Sequence, residues 1–186
     1  STHQIDEYEL GERARTWFKE NSGSLITGVA IGLACIFAYQ WWQGNGDKHQ
    51  SEAAMQYQAF SNEAEKNDSV KTQIILNMME SKIADTPYLD FAVLRQAELL
   101  QTGSKNDEAM KLLDKHALTA KEPAIKELYQ LRIARLHLIN GKAELALKQL
   151  ADVKDSTYPA SLEEIRGDAQ MALGKRELAS QSYVKA

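Results

Sequence analysis

The chain has 186 residues, with 22 Lys and Arg against 26 Asp and Glu, a net charge of −4 and one cysteine. Interspersed charges with a slight acidic excess exclude the basic stripe that nucleic-acid binding uses. A lone cysteine excludes an internal disulfide and a cysteine-based metal site.

Residues 1–24 read as a short leader. Leu10, Ala14, Trp17 and Phe18 fall on one helical face, with Arg13, Arg15 and Lys19 around it. That pattern suits a segment lying along a membrane surface, and a basic-aromatic segment can also dock a protein.

Residues 25–42, from Leu25 to Trp42, carry no charge. At about 1.5 Å per residue such a helix covers roughly 27 Å, close to the ~30 Å of bilayer hydrocarbon. The run is expected to be a single transmembrane helix. Arg13, Arg15 and Lys19 precede it closely, whereas the first cation after it is Lys48. By the positive-inside rule this places the N-terminus in the cytoplasm and the long C-terminal part across the membrane. Tyr39, Trp41 and Trp42 suit the far headgroup layer. A cleavable signal peptide would need a basic leader and an Ala-x-Ala-like end. The acidic leader and the Gln-Trp-Trp-Gln ending do not fit, so the run reads as a retained anchor. Ser24, Gly28 and Gly32 form a small stripe on it, which either pairs with another membrane helix or reflects the ordinary glycine content of such helices. Cys35 lies inside the run.

Gly44-Asn-Gly46 is expected to break the helix or mark its exit from the membrane. Residues 43–186 then form one domain, all helix by periodicity, with Gly and Pro only as punctuation. Tyr57, Phe60 and Ala64 line a helix from about 48 to 66. Ile74, Ile75, Met78, Met79 and Ile83 line one from about 70 to 85. Together they make a degenerate first hairpin, 48–85.

Three repeats follow, at about 88–119, 123–154 and 158–186. Ala97 and Ala109, Ala134 and Ala146, and Gly167 and Ala179 each stand twelve residues apart across Gly103, Gly141 and Gly174. Two helices of a hairpin approach closely only where the contacts are small. Leu113, Leu150 and Tyr183 follow at the position of a bulky core residue. The spacing is close to the ~34 residues of a tetratricopeptide repeat, so the fold class is an all-α helical-hairpin solenoid behind a membrane anchor. The sequence stops at Ala186 within the last helix. Solenoids need a polar cap, so the expectation is that the native chain continues or ends against a partner.

No catalytic constellation emerges, and no cofactor or metal site. His3, His49, His116 and His137 lack ligand spacing, and His137 reads as a core residue. Glu7/Glu9 and Glu163-Glu164 do not converge on one helical face. Binding remains. Registering on the small residues puts Leu94 and Glu98, then Leu131, Arg135 and Leu138, then Glu164, Asp168 and Met171 on the inner face lined by first helices. This mixed surface suits an extended or partly unfolded polypeptide; alternatively Leu94 and Leu131 are core and the charges only solvate.

The chain resembles the YfgM family of ancillary SecYEG translocon subunits. The resemblance rests on Arg15-Thr-Trp-Phe-Lys-Glu-Asn21, Ala53-Ala-Met-Gln-Tyr57, Leu131-Arg-Ile-Ala-Arg135, Ile165-Arg-Gly-Asp168 and Gly174-Lys175. It implies a bacterial inner-membrane protein with one anchor and a periplasmic repeat domain. It also implies partnership with SecYEG and with a PpiD-type periplasmic chaperone, and no catalytic residues. The function expected is a non-catalytic scaffold that helps hand nascent exported polypeptides to chaperones. An assembly factor for another envelope complex is the alternative.

Overall fold

A computed structural model describes the backbone of residues 2–186 and the side chains of residues 8–24 and 26–186. His3, Glu7 and Leu25, used in the sequence reading, have side chains outside that range. The described residues form eight helices without a strand among them, and the chain divides into two compact units, Ser1–Gln50 and Ser51–Ala186.

The first unit is the opening stretch of α1 (Thr2–Glu65). Ile26, Val29, Ile31, Leu33, Ile36 and Phe37 are all half exposed or more, so the apolar run presents side chains around the whole helix. No single helix among the described residues is long and apolar enough to cross a membrane. The segments Tyr8–Ser24 and Ile26–Glu65 of this helix, set at 53° to each other, have the length and composition for a span together. Side chains along this stretch bond back onto the carbonyls of their own helix, as in Asn21 Nδ2 to Trp17 O at 3.1 Å and Thr27 Oγ1 to Gly23 O at 2.7 Å. The expected break at Gly44-Asn-Gly46 is absent: α1 runs through both glycines, neither with positive φ. A mid-helix glycine costs about 1 kcal/mol relative to alanine, a penalty a long helix tolerates.

The second unit stacks helical hairpins. The end of α1 shares a core cluster with α2 (Ser69–Lys82), while α3 (Pro87–Thr102) packs with α4 (Asn106–Ala117), α5 (Pro123–Ile139) with α6 (Ala143–Leu150), and α7 (Pro159–Ala172) with α8 (Arg176–Lys185). All three prolines of the chain open a first helix, where the missing N–H has no intrahelical partner to lose. Asp68 caps α2, its Oδ1 accepting from Val70 N at 3.2 Å and Lys71 N at 3.1 Å.

The turns inside the last three hairpins share one closure. Lys105 N donates to Leu100 O, Lys142 N to His137 O and Lys175 N to Gln170 O, each at 2.8 Å. This is the six-to-one bond of a Schellman motif, which needs a left-handed residue just before the donor. Gly141 (φ 72°) and Gly174 (φ 75°) supply it. In the first of the three turns Ser104 (φ 60°) does so, not the expected Gly103, whose φ is −82°.

The small residues Ala97, Ala109, Ala134, Ala146, Gly167 and Ala179 are all buried at the hairpin contacts. The core falls into two clusters. One joins Ala53, Phe60 and Ala64 of α1 to Leu76 and Met79 of α2, to its C-cap Ile83, and on to Tyr129, Ile133 and Leu136 of α5. The other joins Leu131 and Ala134 of α5 to Leu150, Leu162 and Ile165. α5 therefore contributes to both. One expectation needs correction: Ile74 (58% exposed) and Met78 (49%) face outward. The buried stripe of α2 is Thr72, Leu76 and Met79, continued by the C-cap Ile83, a four-three-four spacing that the neighbouring Ile74-Ile75 and Met78-Met79 pairs disguise. It admits Thr72 because Gln96, also fully buried, accepts its hydroxyl at 2.5 Å and donates to Ser69 O at 3.0 Å.

Candidate partner-binding surface

The residues expected on the inner face sit on α3, α5 and α7, each helix carrying one buried small residue at its hairpin contact. Leu94 and Leu131 do not present themselves to a partner. They are 9% and 5% exposed and belong to the two core clusters, because each lies three residues before its alanine on the same buried face. Leu138 is half-buried against the second cluster. Glu98, Arg135, Glu164, Asp168 and Met171 are exposed.

The exposed charges are partly engaged. Glu98 pairs with Arg95 at 3.1 Å within α3, and Arg135 reaches Glu164 on α7 at 3.9 Å. Both members of the second pair are about half exposed, and a pair of that kind contributes about 0–1 kcal/mol. It shapes the potential of the surface more than its stability. Asp168 accepts a hydrogen bond from the Tyr183 hydroxyl at 2.7 Å, and this bond raises the phenol above its ordinary value. The structure thus joins Arg135 to Glu164 and ties Asp168 to α8.

Sequence reasoning missed an aromatic group. Tyr57 lies 5.6 Å from Tyr88 and 6.5 Å from Phe91, measured between ring centres, and Phe91 remains 44% exposed. Phe91 stands six residues before Ala97, so the same register that gave Leu94 places it three residues earlier on α3.

Two further polar groups hold the scaffold. Burial pushes the Glu127 carboxyl up, but bonds from the Ser156 hydroxyl and from the Thr157 and Tyr158 backbone outweigh it and hold the group below its ordinary value. Thr157 N donates to Oε2 at 2.9 Å and the Ser156 hydroxyl donates to Oε1, pinning the α6–α7 connection to α5. His137 is half-buried, and its Nδ1 is buried without a hydrogen-bond partner. Burial lowers its pKa; Asp114 opposes this and Lys142 reinforces it. The more buried histidine is His116, with Nε2 2.8 Å from Glu80 Oε1.

On the small-residue stripe of the apolar run, Ser24 is exposed, and a Cβ added at Gly28 or Gly32 would meet nothing within 4 Å. Among the described residues no group of three or more His, Cys, Asp or Glu is placed to hold a metal ion.

Comparison with known proteins agrees with this architecture. Three relatives share the name "Ancillary SecYEG translocon subunit". The protein from Haemophilus influenzae is 23% identical over 184 residues, covering 99% of this chain and 90% of the relative. That from Aggregatibacter actinomycetemcomitans is 21% identical with the same coverage. That from Escherichia coli K12 is 24% identical over 183 residues, covering 96% of this chain and 85% of the relative. They show the resemblance to the YfgM family along the whole chain. No solved structure gives a significant match. A family model described as a tetratricopeptide repeat-like domain matches residues 15–186, and the chain belongs to that family.

Proposed function

We propose that the chain is a non-catalytic scaffold tethered to the bacterial inner membrane and associated with the SecYEG translocon. The observation that carries this is the full-length similarity to three ancillary translocon subunits, which takes in the apolar run as well as the repeats. Residues 25–42 act as the anchor, with Ser24, Gly28 and Gly32 as its helix-pairing face, and the N-terminus stays in the cytoplasm. The repeat domain works in the periplasm. There the exposed members of the inner face, Glu98, Arg135, Glu164, Asp168 and Met171, meet a PpiD-type chaperone or a nascent exported chain. Mixed charge beside the exposed Met171 and Phe91 supports a polypeptide partner over a small molecule.

The tethering is tested by fusing alkaline phosphatase after Ala186 and by purifying the full chain from solubilised membranes. An active fusion and co-purification of translocon subunits are expected. An inactive fusion would put the repeats in the cytoplasm and end this reading.

A further inference from the structure

A cleft of about 710 Å³ opens where the α2–α3 and α4–α5 connections meet, at the end of two successive hairpins. Its volume lies within the roughly 300–1,000 Å³ typical of ligand clefts. Glu80, Asp85, Asp90 and Glu122 bring carboxylates to it, against the ammonium groups of Lys115 and Lys121. Leu89, Ala120 and Ile125 give it an apolar lining.

The walls are fixed by bonds between helices. His116 Nε2 lies 2.8 Å from Glu80 Oε1, joining α4 to α2, and Lys115 reaches the other oxygen of Glu80 at 3.3 Å. The Tyr129 hydroxyl donates to Asp90 Oδ1 at 2.7 Å, joining α5 to α3.

The next junction shows what this position of the repeat receives. Asp90 and Glu127 share one register, seven residues before Ala97 and Ala134. At Glu127 the chain supplies its own occupant. α6 ends at Leu150, and the connection folds back so that the Ser156 hydroxyl and Thr157 N–H donate to the two carboxylate oxygens. α4 instead runs on to Ala117, and Thr119 Oγ1 donates to its own helix at His116 O, leaving the cleft open beside Asp90.

We infer that this cleft docks an extended polypeptide segment in which aliphatic side chains alternate with Lys or Arg. The apolar lining takes the aliphatic groups. Glu122 at the rim and Asp90, whose Oδ1 alone accepts from Tyr129, take the cations, and the equivalent site one repeat later already receives peptide N–H and hydroxyl donors at the same carboxylate. This site is separate from the inner face and stands without it.

The test titrates the full chain in zwitterionic lipid nanodiscs with fluorescein-labelled decapeptides, read by anisotropy against empty nanodiscs. The peptides alternate Leu with Lys, Leu with Glu, or Ser with Lys. The Leu-Lys peptide should bind saturably and the other two at least tenfold more weakly. Glu122→Lys at the rim should weaken it at least tenfold. Ala84→Trp, filling the cleft from an exposed position, should do the same. Glu164→Lys on the inner face should leave it unchanged. Absence of binding, equal binding of the Leu-Glu peptide, or loss with Glu164→Lys but not with Glu122→Lys overturns the inference.

Discussion

The ring of Tyr183 occupies the space that a side chain on Gly167 would need: a Cβ there would lie 2.5 Å from Tyr183 Cε1. The two residues stand sixteen apart, as do Ala97 and Leu113, and Ala134 and Leu150. Across the last hairpin the bulky partner has grown and the small one has lost its methyl group. Gly167→Ala gains about 1 kcal/mol of helix propensity. It meets an overpacking cost of about 1–3 kcal/mol and loosens the Tyr183–Asp168 bond. Urea unfolding should show a net loss of about 1 kcal/mol, recovered when Tyr183→Leu is added. A single variant as stable as the parent would contradict this pairing.

The turn residues give a prediction of opposite sign at two equivalent positions. Ser104→Gly relieves a left-handed serine and should raise stability by about 0.5–1 kcal/mol. Gly141→Ala, at φ 72°, should lower it by about 1 kcal/mol although a Cβ there would meet nothing. Paired denaturant midpoints decide it.

Buried polar satisfaction predicts a large effect at Gln96. Gln96→Ala leaves the Thr72 hydroxyl with only its own-helix acceptor, Asp68 O at 3.0 Å, strips Ser69 O of the amide donor and opens a gap, costing about 2–4 kcal/mol in chemical unfolding. Glu98→Ala, two residues on and exposed, should stay within about 0.5 kcal/mol of the parent.

Glu127 predicts a pH dependence. Its folded carboxyl is held below the ordinary 4.5, so its stabilisation is complete above pH 4.5 and is lost as the pH falls below that value. Glu127→Gln should cost about 1 kcal/mol at pH 7, and the gap between variant and parent should narrow in acid. A gap that widens below pH 4.5 would reverse the sign and reject the assignment.

The hairpins were legible because their determinants are local. Proline at each first-helix start, small residues twelve apart and a tight turn between them are all visible along the chain. Faces were harder to read. In α2 the apolar pairs Ile74-Ile75 and Met78-Met79 put one member on each side, and only contact with Gln96 on α3 makes the polar Thr72 a core residue. Leu94 and Leu131 had two readings for a similar reason: one helical turn from a packing alanine is also one turn from the face expected to line the inner side. The turn at Ser104 was misread because a glycine lay one position too early. Gly44 and Gly46 suggested a break, yet nothing in a helix forbids two glycines.

The central claim is that the inner face of the repeats meets translocon partners. Its most direct test is photocrosslinking in intact cells from a probe replacing Arg135, with captured proteins identified by mass spectrometry. Adducts with translocon subunits, a PpiD-type chaperone or nascent exported chains are the predicted result. A single saturable adduct with an unrelated envelope protein would contradict it and identify an assembly factor for another complex.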